Sequence, residues 1–513
     1  MDMKNTRKGT GSMKVLGTLV SVLVLTWVTI PAVAADTTIK DAVVKIYAVS
    51  NSWDYGEPWQ MAGQESCSGS GCIIAGKRIL TNAHVVGDQT FIQVRKAGDP
   101  RKYTARLESV AHECDLALLR VDEASFFEGV EPVQIGELAA LKDEVAVYGF
   151  PMGGDKLCIT EGVVSRVEHS LYYHSYARLL TCQIDAAINP GSSGGPVIKD
   201  GKLVGVAFQG LCADNIGYMV PPPVMRHFLE DIADGTYDGI PGLGVSYQEM
   251  ENPDLRYPLG MNENQTGVLV TRVYPGSPAT GILRPGDVML SVDGTFVAND
   301  GTIELRKGER TSCEHIIQRK HINDTVGVEV LRDGSAVSAE IRLTKPVNAE
   351  RLVPHEQYDV APTYYILGGL VFQPLTRNYL ETWGDTWWDD APNNLLSYYW
   401  YGQPTEERRE IVLLTKVLAD ESNVGYHDLR NRVITTLNCK NIATMHDLVK
   451  AVEEYEGKYH VIVDEQGYTI VLERAKVAEK AAGILKTYRI GAGSSEELDR
   501  LSTVSSVRPA HGD

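Results

Sequence analysis

The sequence lacks the patterns by which many metal and redox sites are recognised. It has no C-x-x-C pair and no H-E-x-x-H segment, so zinc and thioredoxin-like chemistry have little support. It has no short-period repeat, and its 48 Gly and 23 Pro are too few for collagen or a low-complexity scaffold. A basic cluster is also missing, and the formal charge is −18. Such an acidic chain repels phosphate, so nucleic acid is not an expected partner.

Long apolar runs are scarce as well, and the N-terminus carries the one membrane-like segment. Residues 15–35 have no charge, and they follow a flank with several basic residues. The apolar stretch Val15–Ile30 leads into residues 32–34 (AVA), which resemble a peptidase site. This pattern predicts a signal peptide over residues 1–34, no membrane span after cleavage, and export, most simply to a bacterial periplasm. An uncleaved anchor is the alternative, since roughly 16–20 apolar residues could just span a bilayer.

The eight cysteines all lie beyond this segment, at positions 67, 72, 114, 158, 182, 212, 313 and 439. Export permits disulfides, but eight cysteines allow 105 pairings and the sequence does not choose among them. No metal or other cofactor is expected.

The rest of the chain divides into three units and a tail. Residues 36–237, the first unit, read as short strands between turns without a βαβ rhythm, which favours antiparallel barrels or sandwiches. A joint rich in Gly and Pro precedes the second unit, residues 240–346. The third unit, residues 352–490, mixes helical stretches with strands such as 364–372. Residues 491–513 are polar and predict a flexible tail. The expected fold class is mainly β.

Three motifs of the first unit belong together because of their order. They contain His84, Asp115 and the adjacent serines Ser192 and Ser193. The motifs are residues 81–86 (TNAHVV), 112–119 (HECDLALL) and 189–196 (NPGSSGGP). The order His, Asp, Ser is found in chymotrypsin-like enzymes and not in subtilisins or α/β-hydrolases.

Each of these residue types suits one step of nucleophilic catalysis. A serine hydroxyl is a weak nucleophile and needs a base, and histidine suits that role because its pKa lies near working pH. A buried carboxylate beside the histidine fixes its tautomer and stabilises the imidazolium. Glycines around Ser193 allow backbone N–H groups to face a developing oxyanion. Each motif alone is usually structural, whereas the three together in one β-rich unit indicate a catalytic site.

These motifs resemble those of the HtrA/Deg (protease Do-like) family of ATP-independent serine proteases. The resemblance implies that His84 is the general base, Asp115 its orienting carboxylate and Ser193 the nucleophile. The implied oxyanion hole consists of the backbone N–H groups at Gly191, Ser192 and Ser193. Ser192 stands where the family more often has Asn, and the following Gly-Gly-Pro assigns the attack to Ser193.

The resemblance also implies a fold and a substrate path. We expect a chymotrypsin-like pair of six-stranded β-barrels with the site between them. Substrate backbone would add to the strand Gly205–Gln209, and the S1 pocket would favour a modest apolar residue. The predicted substrate-binding residues are Ile188, Gly205, Val206, Ala207 and Phe208.

The second and third units resemble PDZ domains, which have an α+β fold. In the second unit the resemblance lies in residues 277–279 (SPA) and 283–294 (LRPGDVMLSVDG). Its carboxylate-binding loop would be formed by Gly242, Leu243, Gly244 and Val245. In the third unit, residues 368–372 (GGLVF) resemble a second such loop, but Cys439 stands where a PDZ turn often has glycine. The whole arrangement resembles the plant-type Deg proteases with a degenerate second PDZ domain.

The sequence therefore predicts an exported serine endopeptidase that degrades unfolded or damaged proteins. Its partners would be unfolded or C-terminally exposed polypeptides and further copies of itself, in a trimer or a multiple of a trimer. A second hypothesis is a peptide-binding chaperone or scaffold whose protease domain is inactive at rest. The Trp- and Tyr-rich segment 383–401 fits a subunit contact and a core equally well.

Overall fold

The first unit folds into two closed β-barrels. A computed structural model describes residues 39–152, 154–210 and 216–498. In the first barrel the strands follow the order β1-β2-β3-β6-β5-β4. These strands are β1 (Val43–Ser50), β2 (Glu65–Ile74), β3 (Arg78–Thr81), β4 (Gln89–Lys96), β5 (Tyr103–Ala111) and β6 (Leu116–Val121). Short 3-10 helices at Ala83–Val85 and Ala124–Phe127 follow β3 and β6.

The second barrel has the same number of strands, in the order β10-β11-β12-β9-β8-β7. These strands are β7 (Glu144–Gly149), β8 (Cys158–Leu171), β9 (Arg178–Ile184), β10 (Pro196–Lys199), β11 (Lys202–Gly210) and β12 (Gly217–Val220). Helix α1 (Pro222–Asp231), which starts with the Pro residues favoured in a first helical turn, and a 3-10 helix at Ile232–Asp234 complete the unit. One continuous apolar core fills both barrels, and the expected double barrel is confirmed.

The second unit has a sheet in the order β13-β14-β15-β19-β20, with β13 at one edge. Its strands are β13 (Val245–Gln248), β14 (Val268–Val273), β15 (Val288–Val292), β16 (Thr295–Phe296), β17 (Thr302–Arg306), β18 (Glu309–Ser312), β19 (Thr325–Arg332) and β20 (Ser335–Arg342). Its helices are α2 (Pro253–Arg256), a 3-10 helix at Tyr257–Leu259, and α3 (Glu314–Gln318).

The third unit has a sheet in the order β21-β22-β23-β24-β26-β27. Its strands are β21 (Tyr365–Leu367), β22 (Leu370–Pro374), β23 (Val412–Val417), β24 (Arg432–Leu437), β25 (Lys440–Asn441), β26 (Tyr459–Asp464) and β27 (Thr469–Glu473). Its helices are α4 (Arg377–Leu380), a 3-10 helix at Glu381–Trp383, α5 (Trp387–Asp390), α6 (Asn393–Tyr401), α7 (Met445–Glu453) and α8 (Arg474–Tyr488). None of the helices in the described ranges is long and apolar enough to cross a membrane.

Two predictions about the third unit differ from the structure. The expected strand 364–372 is a hairpin, because Gly368 and Gly369 take positive φ angles of 56° and 88° and reverse the chain. The prediction starts the flexible tail at residue 491, which is too early. The Ile366 N–H donates to the Gly493 carbonyl at 2.8 Å, and Leu498 is buried against the core of this unit. The remainder of the predicted tail lies outside the described residues, as does the predicted signal peptide.

The aromatic segment 383–401 is divided between core and surface. Trp387 and Tyr399 are buried, whereas Trp388 and Tyr401 are 49% and 79% exposed. The subunit contact predicted there stays a prediction. The seven cysteines in the described part of the chain are unpaired, and Cys212 lies outside it.

Candidate active site

His84 and Asp115 come together from two loops of the first barrel. The Asp115 carboxylate accepts two hydrogen bonds from His84, one from the backbone N–H at 2.9 Å and one from Nδ1 at 2.7 Å. A carboxylate that holds Nδ1–H leaves Nε2 as the free acceptor of the ring. The pair therefore has the geometry of a general base with its orienting acid.

Asp115 has a left-handed backbone conformation, and a buried amide side chain holds it in place. Its φ of 53° lies in the left-handed region, which Asp tolerates better than most residues. The Asn82 side-chain N–H donates to the Asp115 carbonyl at 2.7 Å, and both residues are buried. Asn82 is a positioning residue whose role the motif spacing did not indicate.

Burial and charge act against each other in this pair. Burial lowers the pKa of His84, but the Asp115 charge and its hydrogen bond leave that pKa raised above its ordinary value. Burial raises the pKa of Asp115, but the attraction of His84 and His174 and the hydrogen bonds from His84 leave it lowered. The pair thus favours an ionised carboxylate and a more basic imidazole, as a general base requires.

The loop of Ser193 is shaped by glycines that no larger residue could replace. At Gly194, where φ is 83°, an added Cβ would lie 2.1 Å from the Ser70 carbonyl oxygen. At Gly195 it would lie 2.2 Å from the Tyr148 carbonyl oxygen. Both contacts are closer than atoms can approach, so glycine is needed where this loop presses on the barrels.

Ser70, in β2, ties this loop to the first barrel. Its N–H donates to the Ser193 carbonyl at 2.8 Å, and its hydroxyl donates to the Gly191 carbonyl at 2.8 Å. The same hydroxyl accepts the Phe150 N–H at 2.8 Å. Sequence reasoning missed Ser70, although alternating Gly and Ser in residues 68–71 indicated a close backbone approach.

One peptide group of the expected oxyanion hole has a defined orientation. The Pro190 carbonyl accepts a hydrogen bond from the Met152 N–H at 2.7 Å. The C=O and N–H of a trans peptide point to opposite sides, so the Gly191 N–H is directed away from Met152. Gly191 has a φ of 93°, which glycine adopts without strain.

The backbone N–H groups of the two adjacent serines also differ in orientation. The Ser192 carbonyl accepts the Gly195 N–H at 2.9 Å, which directs the Ser193 N–H to the other side. The Ser192 N–H itself donates to the Asn189 carbonyl at 2.9 Å. Within the described ranges the amides of Gly191 and Ser193 have no hydrogen-bond partner, whereas the amide of Ser192, which the prediction included, is already bonded.

The serine side chains differ too. Ser192 is only 7% exposed, whereas Ser193 is half-buried. In the part of the chain that the structure describes, the Ser193 hydroxyl has no hydrogen-bond partner, and its loop adjoins Thr81 and Asn82, two residues before His84. The loop geometry thus brings the Ser193 loop next to the segment that carries His84.

The predicted substrate-binding residues divide into two groups. Gly205 and Val206 are buried residues of β11 that pair with β10. They therefore do not lie on the cleft surface, where the prediction placed them. Ala207 also donates its N–H to Gly195 at 2.9 Å and accepts from Gly194 at 2.8 Å. Phe208 is a β-bulge in the ladder to β12, which resumes at Gln209. On the other side of β11 the pairing with β10 ends at Val206, so an added strand would begin beyond Ala207.

Ile188, one of the predicted substrate-binding residues, lies against the start of β12. An added Cβ at Gly217 would lie 2.7 Å from its Cδ1 atom, so Ile188 covers this end of β12. The Phe208 ring instead stacks on Tyr172 with centroids 4.6 Å apart and is buried. Phe208 is therefore a core side chain, and only its backbone remains a candidate for substrate contact.

The predicted carboxylate loop of the second unit borders a cavity of about 350 Å³. The cavity is lined by Leu243, Gly244 and Val245, and Arg178 of the first unit and Arg351, just before the third unit, add to its wall. The Gly242 N–H donates to the Lys345 carbonyl at 3.1 Å. Gly242 is therefore not a free donor, contrary to the prediction. In the third unit the corresponding strand β22 pairs with β21 on one side and β23 on the other.

The comparisons with known families match the three units. Residues 69–206 match the trypsin-like peptidase domain. Residues 241–343 and 353–497 each match a PDZ domain. The PDZ match over residues 353–497 includes residues beyond position 490 that pack against the third unit.

Several Arabidopsis thaliana proteins are similar over most of the chain. Mitochondrial protease Do-like 4 is 40% identical over 461 residues, which cover 90% of this chain and 85% of that protein. Chloroplastic protease Do-like 2 is 39% identical over 473 residues, covering 91% and 77%. Among solved structures, the HtrA-type protease AlgW, as a serine-to-alanine variant with a decapeptide, is 25% identical with a TM-score of 0.50, covering 62% of this chain and 99% of AlgW. The chain thus belongs to the HtrA/Deg (protease Do-like) family of serine proteases.

Proposed function

We propose that the protein is an ATP-independent serine endopeptidase in which Ser193 attacks the substrate carbonyl. Its Oγ forms a bond to the carbonyl carbon while His84 Nε2 takes the hydroxyl proton. The C–N bond then breaks, His84 returns the proton to the leaving amine, and water hydrolyses the acyl-enzyme by the same steps in reverse roles. The hydrogen bonds between Asp115 and His84, at 2.7 and 2.9 Å, carry this proposal.

The negative oxygen of the tetrahedral intermediate would be stabilised by the Gly191 and Ser193 N–H groups. Donors that are already oriented need no reorganisation as charge develops, which makes their stabilisation of the transition state large. The competing function, a chaperone or scaffold with a resting-inactive protease domain, is less favoured, because it requires a misoriented oxyanion loop. The bond from Met152 to Pro190, at 2.7 Å, supports the oriented state.

We expect activity to fall as the pH decreases through a value above 6.5, the ordinary pKa of histidine. His84 must be neutral to accept the proton, and its pKa is raised by Asp115 despite its burial. A raised pKa means that the imidazolium persists to higher pH, so the acidic limb of the pH–rate profile shifts to higher pH. The test is kcat/KM for a peptide substrate between about pH 5 and 9. An acidic midpoint below that of free histidine would contradict the proposed pair.

We propose unfolded or damaged proteins as substrates. Addition to the end of β11 needs an extended backbone with free N–H and C=O groups, and a folded protein rarely offers one. Within the described residues the pairing of β11 with β10 ends at Val206, and the edge beyond Ala207 supports this binding mode. The test is whether the purified protein degrades reduced, unfolded casein without ATP, and whether Ser193→Ala stops the degradation.

The second unit is our candidate for a peptide receptor, and the third is not. Strand β13 ends its sheet and borders the cavity at Leu243–Val245, so a peptide can add beside it. Strand β22 has both neighbours occupied by the chain's own β21 and β23. Without an open edge, the third unit cannot bind a peptide by strand addition at β22.

We expect a hydrophobic peptide with a free C-terminus to bind at least about tenfold more tightly than its amidated form, a difference of about 1.4 kcal/mol. The reason is that Leu243 and Gly244 border the cavity and their N–H groups have no acceptor among the described residues, so they can receive a carboxylate. Fluorescence anisotropy with both peptides measures the difference, and cleavage of casein with added peptide measures any effect on rate. Equal affinity for the two forms would exclude carboxylate capture.

We propose export as the location. The relatives named above are mitochondrial and chloroplastic. Transit peptides of that kind are amphipathic and Arg-rich, whereas residues 15–35 of this chain carry no charge. Assembly into trimers or multiples of a trimer, and quality control of exported proteins, are part of the same proposal.

A further inference from the structure

Tyr358, just before the third unit's sheet, packs against two histidines of the first unit. Its ring stacks on His174 with centroids 4.1 Å apart and planes at 25°. It also stacks on His112 with centroids 5.1 Å apart and planes at 26°. The Tyr358 hydroxyl reaches the His174 carbonyl only at 3.4 Å, so the ring faces supply most of this contact.

Asp359 extends the same contact with hydrogen bonds. Its carboxylate accepts from His112 Nε2 at 2.9 Å, and His112 Nδ1 lies 2.9 Å from His174 Nε2. Asp359 and Asp88 also exchange two bonds, each backbone N–H donating to the partner's carboxylate, at 2.8 and 2.7 Å. Charge-assisted bonds of this number fix a short segment firmly.

These contacts reach the two loops that hold the candidate catalytic pair. Asp88 comes four residues after His84, and His112 comes three residues before Asp115. The ring of His174 has its centroid 6.0 Å from that of His84. The Tyr358–Asp359 segment thus bridges the turn after His84, the turn before Asp115 and the β8–β9 loop.

The turn at Gly87 leaves little room between these groups. An added Cβ there would lie 3.6 Å from His112 Cε1 and 3.6 Å from Tyr358 Cδ1. The backbone that follows His84 is therefore in van der Waals reach of both rings. Removal of the Tyr358 ring would open a gap directly against this turn, and close-packed groups shift when a neighbour of that size is lost.

His174, the histidine next to His84, carries little positive charge. Burial lowers the pKa of His174 to about 3, with smaller opposing effects of Asp115 and Asp359 and a further lowering by His112 and His84. His174 is therefore a neutral ring at any pH at which His84 acts as a base. A neutral, immobile neighbour supports an imidazole without disturbing its basicity.

We infer that Tyr358 and Asp359 are positioning residues for the candidate catalytic pair, so that the third unit is part of the catalytic centre. They act through His112, His174 and the Asp88 turn and touch no substrate. The inference rests on the proposed function, because it assumes that His84 is the general base. It implies that the protease domain works at full rate only while residues 358–359 are docked on it.

The test compares full-length variants on a peptide anilide substrate. We expect Tyr358→Ala to lower kcat by about tenfold to a hundredfold with KM within about twofold, because a small displacement of a catalytic group lowers the chemical rate and leaves binding intact. Tyr358→Phe keeps both stacks and should stay within about twofold of wild type. Val360→Ala is the matched control, since Val360 is exposed beside the segment.

A second measurement separates positioning from substrate contact. The rate at which a fluorophosphonate labels the protein reports the reactivity of the catalytic serine without a peptide substrate, and it should fall in Tyr358→Ala in parallel with kcat. Circular dichroism and thermal unfolding check each variant, and Tyr358→Leu, which keeps apolar bulk without an aromatic face, replaces Tyr358→Ala if the latter does not fold.

The outcomes distinguish this inference from the proposed function. A folded Tyr358→Ala variant with wild-type kcat and labelling rate overturns the inference and leaves the proposed function standing. A change confined to KM, or Tyr358→Phe as impaired as Tyr358→Ala, also overturns it. A wild-type protein that neither hydrolyses the substrate nor reacts with the fluorophosphonate overturns both.

Discussion

Ser193→Ala is expected to lower the hydrolysis of unfolded casein by at least about a thousandfold, whereas Ser192→Ala keeps a substantial part of it. Loss of a triad member typically costs several powers of ten in rate. Ser193 combines a half-buried hydroxyl without a partner in the described ranges and an N–H directed to the free side of its loop. Ser192 is 7% exposed, and its Cα and Cβ pack beside Gly149.

The pair of adjacent serines is its own control, because both variants remove one hydroxyl from the same loop. Casein cleavage followed by gel electrophoresis gives the rates, and mass spectrometry of the fluorophosphonate adduct identifies the modified residue. If Ser193→Ala cleaves near the wild-type rate, or if the adduct is found on Ser192, the assignment of the nucleophile is wrong.

Asp115→Asn is expected to lower kcat by about ten-thousandfold at neutral pH without unfolding the protein, a cost typical of a triad that holds the wrong tautomer. The asparagine amide would face His84 Nδ1 as a donor, so the imidazole would carry its proton on Nε2 and could not accept one there. The fold should survive because Asn tolerates the φ of 53° at this position as well as Asp does.

Asp122→Asn is the matched control for this variant. Asp122 lies just after β6, the strand that Asp115 precedes, and its side chain is 66% exposed in an ion pair with Arg106. Exposed pairs of this kind contribute little, at most about 1 kcal/mol, so activity should not change. Steady-state kinetics with thermal unfolding tests both variants. Near-normal kcat in folded Asp115→Asn would remove Asp115 from the mechanism.

The catalytic motifs were readable from the sequence because their chemistry is local. At Gly194 and Gly195 an added Cβ would meet backbone carbonyl oxygens, so these two positions of the glycine-rich loop need glycine. The place of Phe208 was not readable in the same way. An aromatic residue in a strand fits a pocket or a core, and only the packing of Tyr172 against it decided for the core.

The two PDZ domains differ for a reason that only the sheet reveals. Both carry glycines before a strand, at Gly244 and Gly369, and both match the same kind of domain. The edge of β13 is open in the described part of the second unit, whereas β21 folds back on β22 in the third. Strand pairing depends on where the chain turns, and the sequence pattern predicts one strand where two adjacent glycines reverse the chain.

The sequence by itself determined the class of protein, the order of its three units and the residues able to perform acyl transfer, because periodicity, glycine placement and the order of His84, Asp115 and Ser193 are local properties. The tertiary structure decided which backbone N–H groups are free, which strand edge is open, and that Tyr358 lies against His174, 184 positions away. Contacts between residues so distant in the chain follow from the packing of whole units, and no local pattern encodes them.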